Sequence, residues 1–508
     1  MIEEEQNSDF SVFPTGRKEF RLLCFTILLA LLITDMAFFY GLHMGFAVMC
    51  FACILVPIVY LLRNGHRLTP YSAVLLILSL LCAASFARSE DGFVKFITLL
   101  FTFSGASMGL CLLAGQDRRD PKGFLSLTDA IASFFSLSFG HFGASVGGLS
   151  QAGKQAGPAG KNRSAVLVGL LIALPVLAIL IPLLIRADAA FEGLLGLLPQ
   201  FDLSELFVSI IFGAPLALVL YTHHTALHHA TRQQPDRKVT KGVHALTVNT
   251  VLICVCVVYV AYLLSQLAYF SSGFAGILPE GFTMAEYARR GFFEMAWISG
   301  INLLIMVLSV ALVAKQDGRA PLLTRLLCMF VALVSLFIVA TASAKMLMYI
   351  DSYGLTRLRV LTQVIMVFLS LTVIFVTVWL FLPRFAYMKA VMITALAICC
   401  CVAWADVDTV VAAYNVKAYL SGQLSTIDMD HLWDLGDGAV PYLELLTEDA
   451  NRSVANTARS ILKHRATQQP EDIRSYSIAS IIAHDILREY QNSTLQAMHY
   501  LPENLYQS

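Results

Sequence analysis

Eleven stretches of this chain stay apolar for about the thickness of a bilayer, and that pattern leaves few folds open. They run at 21–41, 44–62, 70–87, 93–114, 165–185, 204–221, 245–269, 292–314, 322–344, 360–383 and 386–404. A helix that crosses hydrocarbon needs about 20 mostly apolar residues. Backbone groups inside hydrocarbon must be paired within the protein, which makes such stretches helices. Composition agrees: 14% of the residues are charged, against about 25% in a soluble domain. The expected fold is all-α, a polytopic transmembrane helix bundle of about 11 spans over residues 21–404. Stretches 70–87 and 204–221 are the shortest.

Loop charges give an orientation. With residues 1–20 as a cytoplasmic tail, about 20 Lys and Arg fall on the inner side and about 7 on the outer side, the bias expected of inner loops. Trp297 and Trp404 then lie near outer helix ends and Trp379 near an inner one. An odd span count places residues 405–508 outside; one span more or fewer reverses this. Lys+Arg and Asp+Glu are equal at 35, so net charge selects no partner. No basic domain or binding motif points to nucleic acid. Membrane lipids are the expected surroundings.

Several suggestive patterns carry no chemistry. All eleven cysteines lie in apolar runs, where thiols act as small hydrophobes. Cys399, Cys400 and Cys401 are consecutive, so on a helix they point about 100° apart and do not converge on a metal. His223, His224, His228 and His229 sit in the expected cytoplasmic loop after 204–221. His224 and His228 are one turn apart, but no second histidine box accompanies them. The plain reading is surface histidines. Gly160-Lys161 lacks the glycine and hydroxyl residue of a phosphate loop, with Gln155 and Asn162 in their places. No metal and no cofactor is expected.

Residues 123–164 form the longest inner segment. Phe124, Leu127, Ile131, Phe134 and Phe135 recur at helical spacing, which predicts an amphipathic helix on the inner surface; a re-entrant segment is the alternative. The following GGLSQAGKQAGPAGKNRS reads as a linker. Pro57, Pro175, Pro182 and Pro215 fall inside spans, where proline frees a carbonyl and bends a helix. Asp35 and Lys95 have opposite sign and similar depth, which predicts an ion pair. Asn249, Gln266, Asn302 and Gln363 are placed to bond between helices, each contributing about 1 kcal/mol or less. No Asp/Glu/His relay crosses the membrane, which weakens a proton-coupled pump.

Charge gathers on the expected outer face. Arg289, Arg290 and Glu294 stand at the mouth of 292–314, and Lys345, Asp351, Arg357 and Arg359 follow 322–344. Asp406 and Asp408 follow the last span, and Tyr287, Tyr349 and Tyr353 accompany the charges. One reading is an ion-paired collar that locks helix ends. The other is a pocket for an anionic headgroup or glycan phosphate, which paired Arg forks suit. Its candidate ligand-binding residues are Tyr287, Arg289, Arg290, Glu294, Lys345, Tyr349, Asp351, Tyr353, Arg357, Arg359 and Asp406. No catalytic residue stands out.

YARRGFFE, SAKMLMYIDSYGLTRLR and ADVDTVVAAYNV resemble, in this order, the motifs of a bacterial membrane family catalogued as a domain of unknown function, type 4173, related to type 4153. The resemblance covers roughly residues 165–450. Lys345 departs from the arginine usual at its position, keeping the charge and losing the fork. The resemblance implies a multi-pass protein of the bacterial plasma membrane and implies no activity.

Residues 405–508 are polar and helix-prone. Val440, Leu443 and Leu446, then Val454, Ala458, Ile461 and Leu462, then Ile478, Ile481 and Ile482 predict amphipathic helices. Successive hairpins suggest a small HEAT-like or tetratricopeptide-like unit without a clear repeat period, which binds an envelope protein partner or folds back on its own domain. The expected role is a non-enzymatic envelope sensor or scaffold. The alternatives are a transporter or flippase for an amphipathic substrate, and a membrane enzyme acting on lipid-linked substrates.

Overall fold

The computed structural model describes residues 12–88, 90–115, 126–155, 203–230, 242–274, 292–315, 319–469 and 472–499, with isolated helical positions from 169 to 184. Among the described residues are seventeen helices and no strand, only an isolated bridge between Val243 and Val313. They are α1 (Arg17–Asp35), α2 (Met44–Arg63), α3 (Pro70–Ser85), α4 (Gly92–Leu113), α5 (Ser126–Gly140), α6 (Phe142–Gln155) and α7 (Leu203–His229). Then come α8 (Ala245–Phe274), α9 (Phe292–Leu312), α10 (Leu322–Tyr353), α11 (Arg357–Phe381) and α12 (Tyr387–Ala405). The last five are α13 (Val407–Leu420), α14 (Met429–Asp434), α15 (Val440–Leu445), α16 (Arg452–Ala466) and α17 (Ile478–His499).

Nine described helices are long and apolar enough to cross a membrane, and α3 is a shorter apolar helix. Ten of the eleven predicted stretches are therefore helices. The remaining one, 165–185, lies largely outside the described residues; its described positions are helical. The chain divides into two compact units. The first holds residues 1–120, 127–235 and 469–482; the second holds 121–126, 236–468 and 483–508.

In the first unit α1 and α7 run antiparallel. Glu19 meets His229 at 3.6 Å at one end, and Asp35 accepts a bond from Ser209 at 3.3 Å at the other. Between them a Cβ on Gly213 would stand 3.0 Å from the Leu31 Cα and 3.1 Å from the Ala30 carbonyl. A small residue lets two membrane helices approach this closely. Local sequence fixes the helix starts. Thr69, Pro70 and Ser72 form a capped α3 start, and Asp91 accepts the Val94 N–H at 2.7 Å to open α4. Lys18 reaches Asn64 and the Arg63 carbonyl, so α1 begins where α2 ends. Tyr71 touches Met108, and Leu76 lies against Gly109, so α4 runs back along α3. Thus α4 ends at the end where α1 starts, and α7 begins at the opposite end.

Residues 472–482 are a strap over that opposite end. The Arg474 guanidinium lies 3.6 Å above the Tyr40 ring and 4.0 Å from Asp35. Met44 N–H donates to the Tyr476 carbonyl, Ile478 N–H to the Ala87 carbonyl, and the Ser477 hydroxyl to Glu90. The strap, the α1–α2 loop and the α3–α4 loop therefore share one side.

In the second unit α10 packs on α8, α9 and α11. Asn302 is fully buried; it accepts from the Tyr259 hydroxyl and donates to Ser335 at 2.9 Å. Asn249 accepts from Thr324, and Gln363 donates to the Ser343 carbonyl. Three of the four expected interhelical amides thus bond across helices.

Four expectations change. Asp35 pairs with Ser209 and Arg474, while Lys95 meets His43 at 3.2 Å; the sequence could not show that the strap brings Arg474 to Asp35. Burial, with Lys95 adding to it, pushes His43 down to about 4, so it faces Lys95 as a neutral acceptor. Residues 147–155 of the expected linker are helical, in α6, because Gly148 lets that helix seat against the Phe13 carbonyl. The four α7 histidines are not surface residues: His223 and His224 are buried, because α7 continues past 221 into a packed environment. Finally, α13 to α16 have 14, 6, 6 and 15 residues, so no equal hairpins repeat; Gly436, Gly438 and Pro441 break the chain too often.

Candidate functional site: a clamp on the α10–α11 turn

The polar stretch after 322–344 begins as helix. α10 continues to Tyr353, and Gly354, with φ +75°, ends it. Thr356 caps α11 through the Arg359 N–H. This turn is held by α13. The Asn415 side chain accepts the Leu355 N–H at 2.6 Å and donates to the Leu355 carbonyl at 2.8 Å. A side-chain amide here imitates a strand partner for one residue. A Cβ on Gly354 would stand 2.6 Å from the Asn415 Oδ1. Gly354→Ala is expected to cost about 1–3 kcal/mol, from left-handed backbone and a displaced amide. Thermal unfolding in native-lipid particles checks this.

Arg357 supplies the clamp's charge. Its guanidinium grips Asp408 with two N–H groups, one at 2.7 Å, and donates to the Asp434 carbonyl at 2.8 Å. Asp408 is only 1% exposed and also accepts the Gly436 N–H at 2.8 Å. Arg359 donates to the Tyr353 and Gly354 carbonyls and lies 4.2 Å over the Tyr349 ring. Tyr349 and Tyr353 rest 4.9 Å apart. Asp351 accepts from Tyr414 at 3.4 Å. Burial, reinforced by the Asp351 charge, raises the Tyr414 hydroxyl above its ordinary value and keeps it a donor. Burial likewise lowers His431 on α14, against the pull of Asp428.

Asp406 joins α12 to α13 with φ +54°, the only non-glycine residue with positive φ among those described. Its side chain is buried and accepts from Thr409 at 2.6 Å. Gly438 sits against both, and a Cβ there would run into Thr409 and Asp406.

The structure therefore brings Tyr349, Asp351, Tyr353, Arg357, Arg359 and Asp406 to one end of the second unit. Lys345 is half-buried two turns earlier on α10, and Glu294 is exposed in the first turn of α9, where a carboxylate suits the helix dipole. Tyr287, Arg289 and Arg290 lie outside the described residues. Asn415, absent from the candidate set, is central; its signal was its place in ADVDTVVAAYNV. Among the described residues no three His, Cys, Asp or Glu side chains have a metal-binding arrangement.

The fold and clamp define a polytopic helical membrane protein whose polar C-terminal helices are bonded to its spans. Residues 22–446 match the family described as Domain of unknown function (DUF4153), and the chain belongs to that family. No curated protein and no solved structure matches it. The family's description assigns no reaction.

Proposed function

We propose that the protein is a non-enzymatic sensor or scaffold of a bacterial envelope. In this reading it lies in the plasma membrane, with a cytoplasmic N-terminus and residues 405–508 outside. The C-terminal helices bind an envelope protein, and the clamp transmits that contact to the spans. The carrying observation is that Arg357 and Arg359 spend their donors on the chain's own Asp408 and on carbonyls of residues 353, 354 and 434. Rigid attachment of extramembrane helices is what a relay needs. Loop charge supports the orientation, and the motif resemblance to type 4173 supports the bacterial origin. α16 offers a polar face with Asn456, Ser460 and Lys463 exposed.

The second reading is an anionic lipid headgroup bound near Lys345 and Tyr353, which is half-exposed, with Tyr287, Arg289, Arg290 and Glu294 as further candidates from the sequence. One experiment separates them. Full-length protein in native-lipid particles is analysed by mass spectrometry for bound lipids and, after crosslinking in cells, for bound protein. A protein crosslinked by wild type and by Arg290→Ala, and lost in Ser460→Arg, supports the scaffold. A specific anionic lipid lost in Arg290→Ala and Tyr353→Ala at equal folded yield overturns it in favour of the headgroup site.

A further inference from the structure

We propose that the first unit carries a proton-binding site at the end where α1 begins, formed by His66, His228, His229 and Glu19. The inference stands apart from the envelope reading and rests on different residues.

The setting is unusual for a helix end. Residues 221–227 of α7, Tyr-Thr-His-His-Thr-Ala-Leu, are buried one after another. A surface helix would expose about half of them. The encasing parts are the residue 12–16 segment, α1, α2, α5 and α6. Phe13 rests 5.6 Å from both His141 and His229; Phe134 of α5 lies 4.5 Å from His223; Ser145 of α6 bonds Thr225 at 2.9 Å. Ionisable groups enclosed at membrane depth are expensive to keep, and they mark function more often than surface ones do.

The four groups form a chain of contacts. His66 Nε2 stands 2.9 Å from His228 Nδ1, the His228 and His229 rings are 4.4 Å apart, and His229 Nε2 is 3.6 Å from Glu19. Glu19 is already supplied with donors by the Gly16 N–H at 2.8 Å and the Tyr60 hydroxyl at 3.3 Å, so it is held as a carboxylate. The charged groups facing the cluster are few. Lys18 reaches in from α1 and Arg63 stands at the end of α2, where Lys18 bonds its carbonyl. His141 faces it from the α5–α6 junction, and Tyr221, His223 and His224 from α7 itself.

The His66–His228 contact sets the chemistry. Two ring nitrogens 2.9 Å apart hold one proton between them. With both rings neutral, one donates and the other accepts. One added proton leaves that bond in place as an imidazolium–imidazole pair, with Glu19 as counter-charge. A second added proton puts two N–H groups face to face and the contact opens. A proton suits such close packing, since it needs no cavity. A second observation is the enclosure of His223, which is 1% exposed and meets the backbone of Phe134. Loss of the His66 contact would free the 64–69 loop, and loss of the Glu19–His229 contact would free the 12–16 segment.

The test is hydrogen–deuterium exchange on the full-length protein in lipid nanodiscs, corrected for intrinsic pH dependence. Between about pH 7.5 and about pH 4, reaching below the ordinary imidazole range because burial disfavours the charged His228 and His229 rings, wild-type exchange at residues 64–69 should rise about tenfold relative to a reference peptide in α12, as one pKa unit of difference in proton affinity between the closed and open forms would give. His66→Gln keeps an amide against His228 but cannot charge, and its profile should be flat. Glu19→Gln removes the counter-charge that favours the protonated rings and should move the opening to lower pH. A flat wild-type profile, or the same rise in His66→Gln, overturns the proposal. If Glu19→Gln does not fold, the half-exposed His66 variant alone decides.

Discussion

Replacing Arg357 by alanine is expected to cost about 3–5 kcal/mol and to loosen residues 407–466 from the spans. The size follows from what is left behind. Asp408 is 1% exposed, against 31% for Arg357. Removing the guanidinium strands a buried carboxylate that keeps the Gly436 N–H among the described residues, and breaking a buried pair from one side carries that penalty. The reverse change, Asp408→Ala, leaves an arginine that already reaches solvent and keeps the Asp434 carbonyl, so it should cost less. The double variant should be more stable than Arg357→Ala alone. Arg357→Lys keeps charge but loses the two-pronged grip and the third bond, and should fall between. Thermal unfolding of the four proteins, with limited proteolysis at residues 420–430, measures this. Equal losses for the two single alanine variants would mean the pair acts as an ordinary exposed salt bridge, worth about 1 kcal/mol or less.

The same residues show what the sequence made legible. Spans follow from hydropathy, because hydrocarbon enforces helices on any stretch long enough, and helix starts follow from Thr69-Pro70 and Asp91, because a cap is a local contact. Asn302 could be expected to bond because a fully buried amide has to. Partners are another matter. Arg357 and Asp408 are both visible as outer charges, but only the folded turn shows that they hold each other rather than a ligand. Matching depth points Asp35 to Lys95; its cation is Arg474, brought by a strap whose sequence, around Gln469-Pro470-Glu471, reads as a break between helices. The enclosure of the α7 histidines is hidden in the sequence for a related reason. Hydropathy falls off near 221, and a polar helix end enclosed by neighbours looks, in one dimension, like a polar helix end in water.

Gly213→Val should destabilise the first unit by forcing α1 and α7 apart. The position is apolar and helical, so propensity alone would favour the substitution by removing a flexible residue. Packing decides otherwise. The atoms a Cβ would meet are the Leu31 Cα and the Ala30 carbonyl, at 3.0 and 3.1 Å, and backbone does not rotate out of the way. Alanine forces α1 and α7 apart by a few tenths of an ångström; valine adds two methyl groups on a stiff side chain and forces more. Overpacking of this kind costs about 1–3 kcal/mol, occasionally more, and here it acts on both ends of the helix pair. Separation lengthens the Asp35–Ser209 bond at one end and the Glu19–His229 contact at the other. The variant should therefore lower thermal stability and also raise hydrogen exchange at residues 12–16, far along the helix from the substitution. Gly300→Val in α9 is the control, since a Cβ there meets nothing within 4 Å, and it should change stability by about 0.5 kcal/mol or less. Equal effects of the two valines would mean that the α1–α7 approach is not what holds the first unit together.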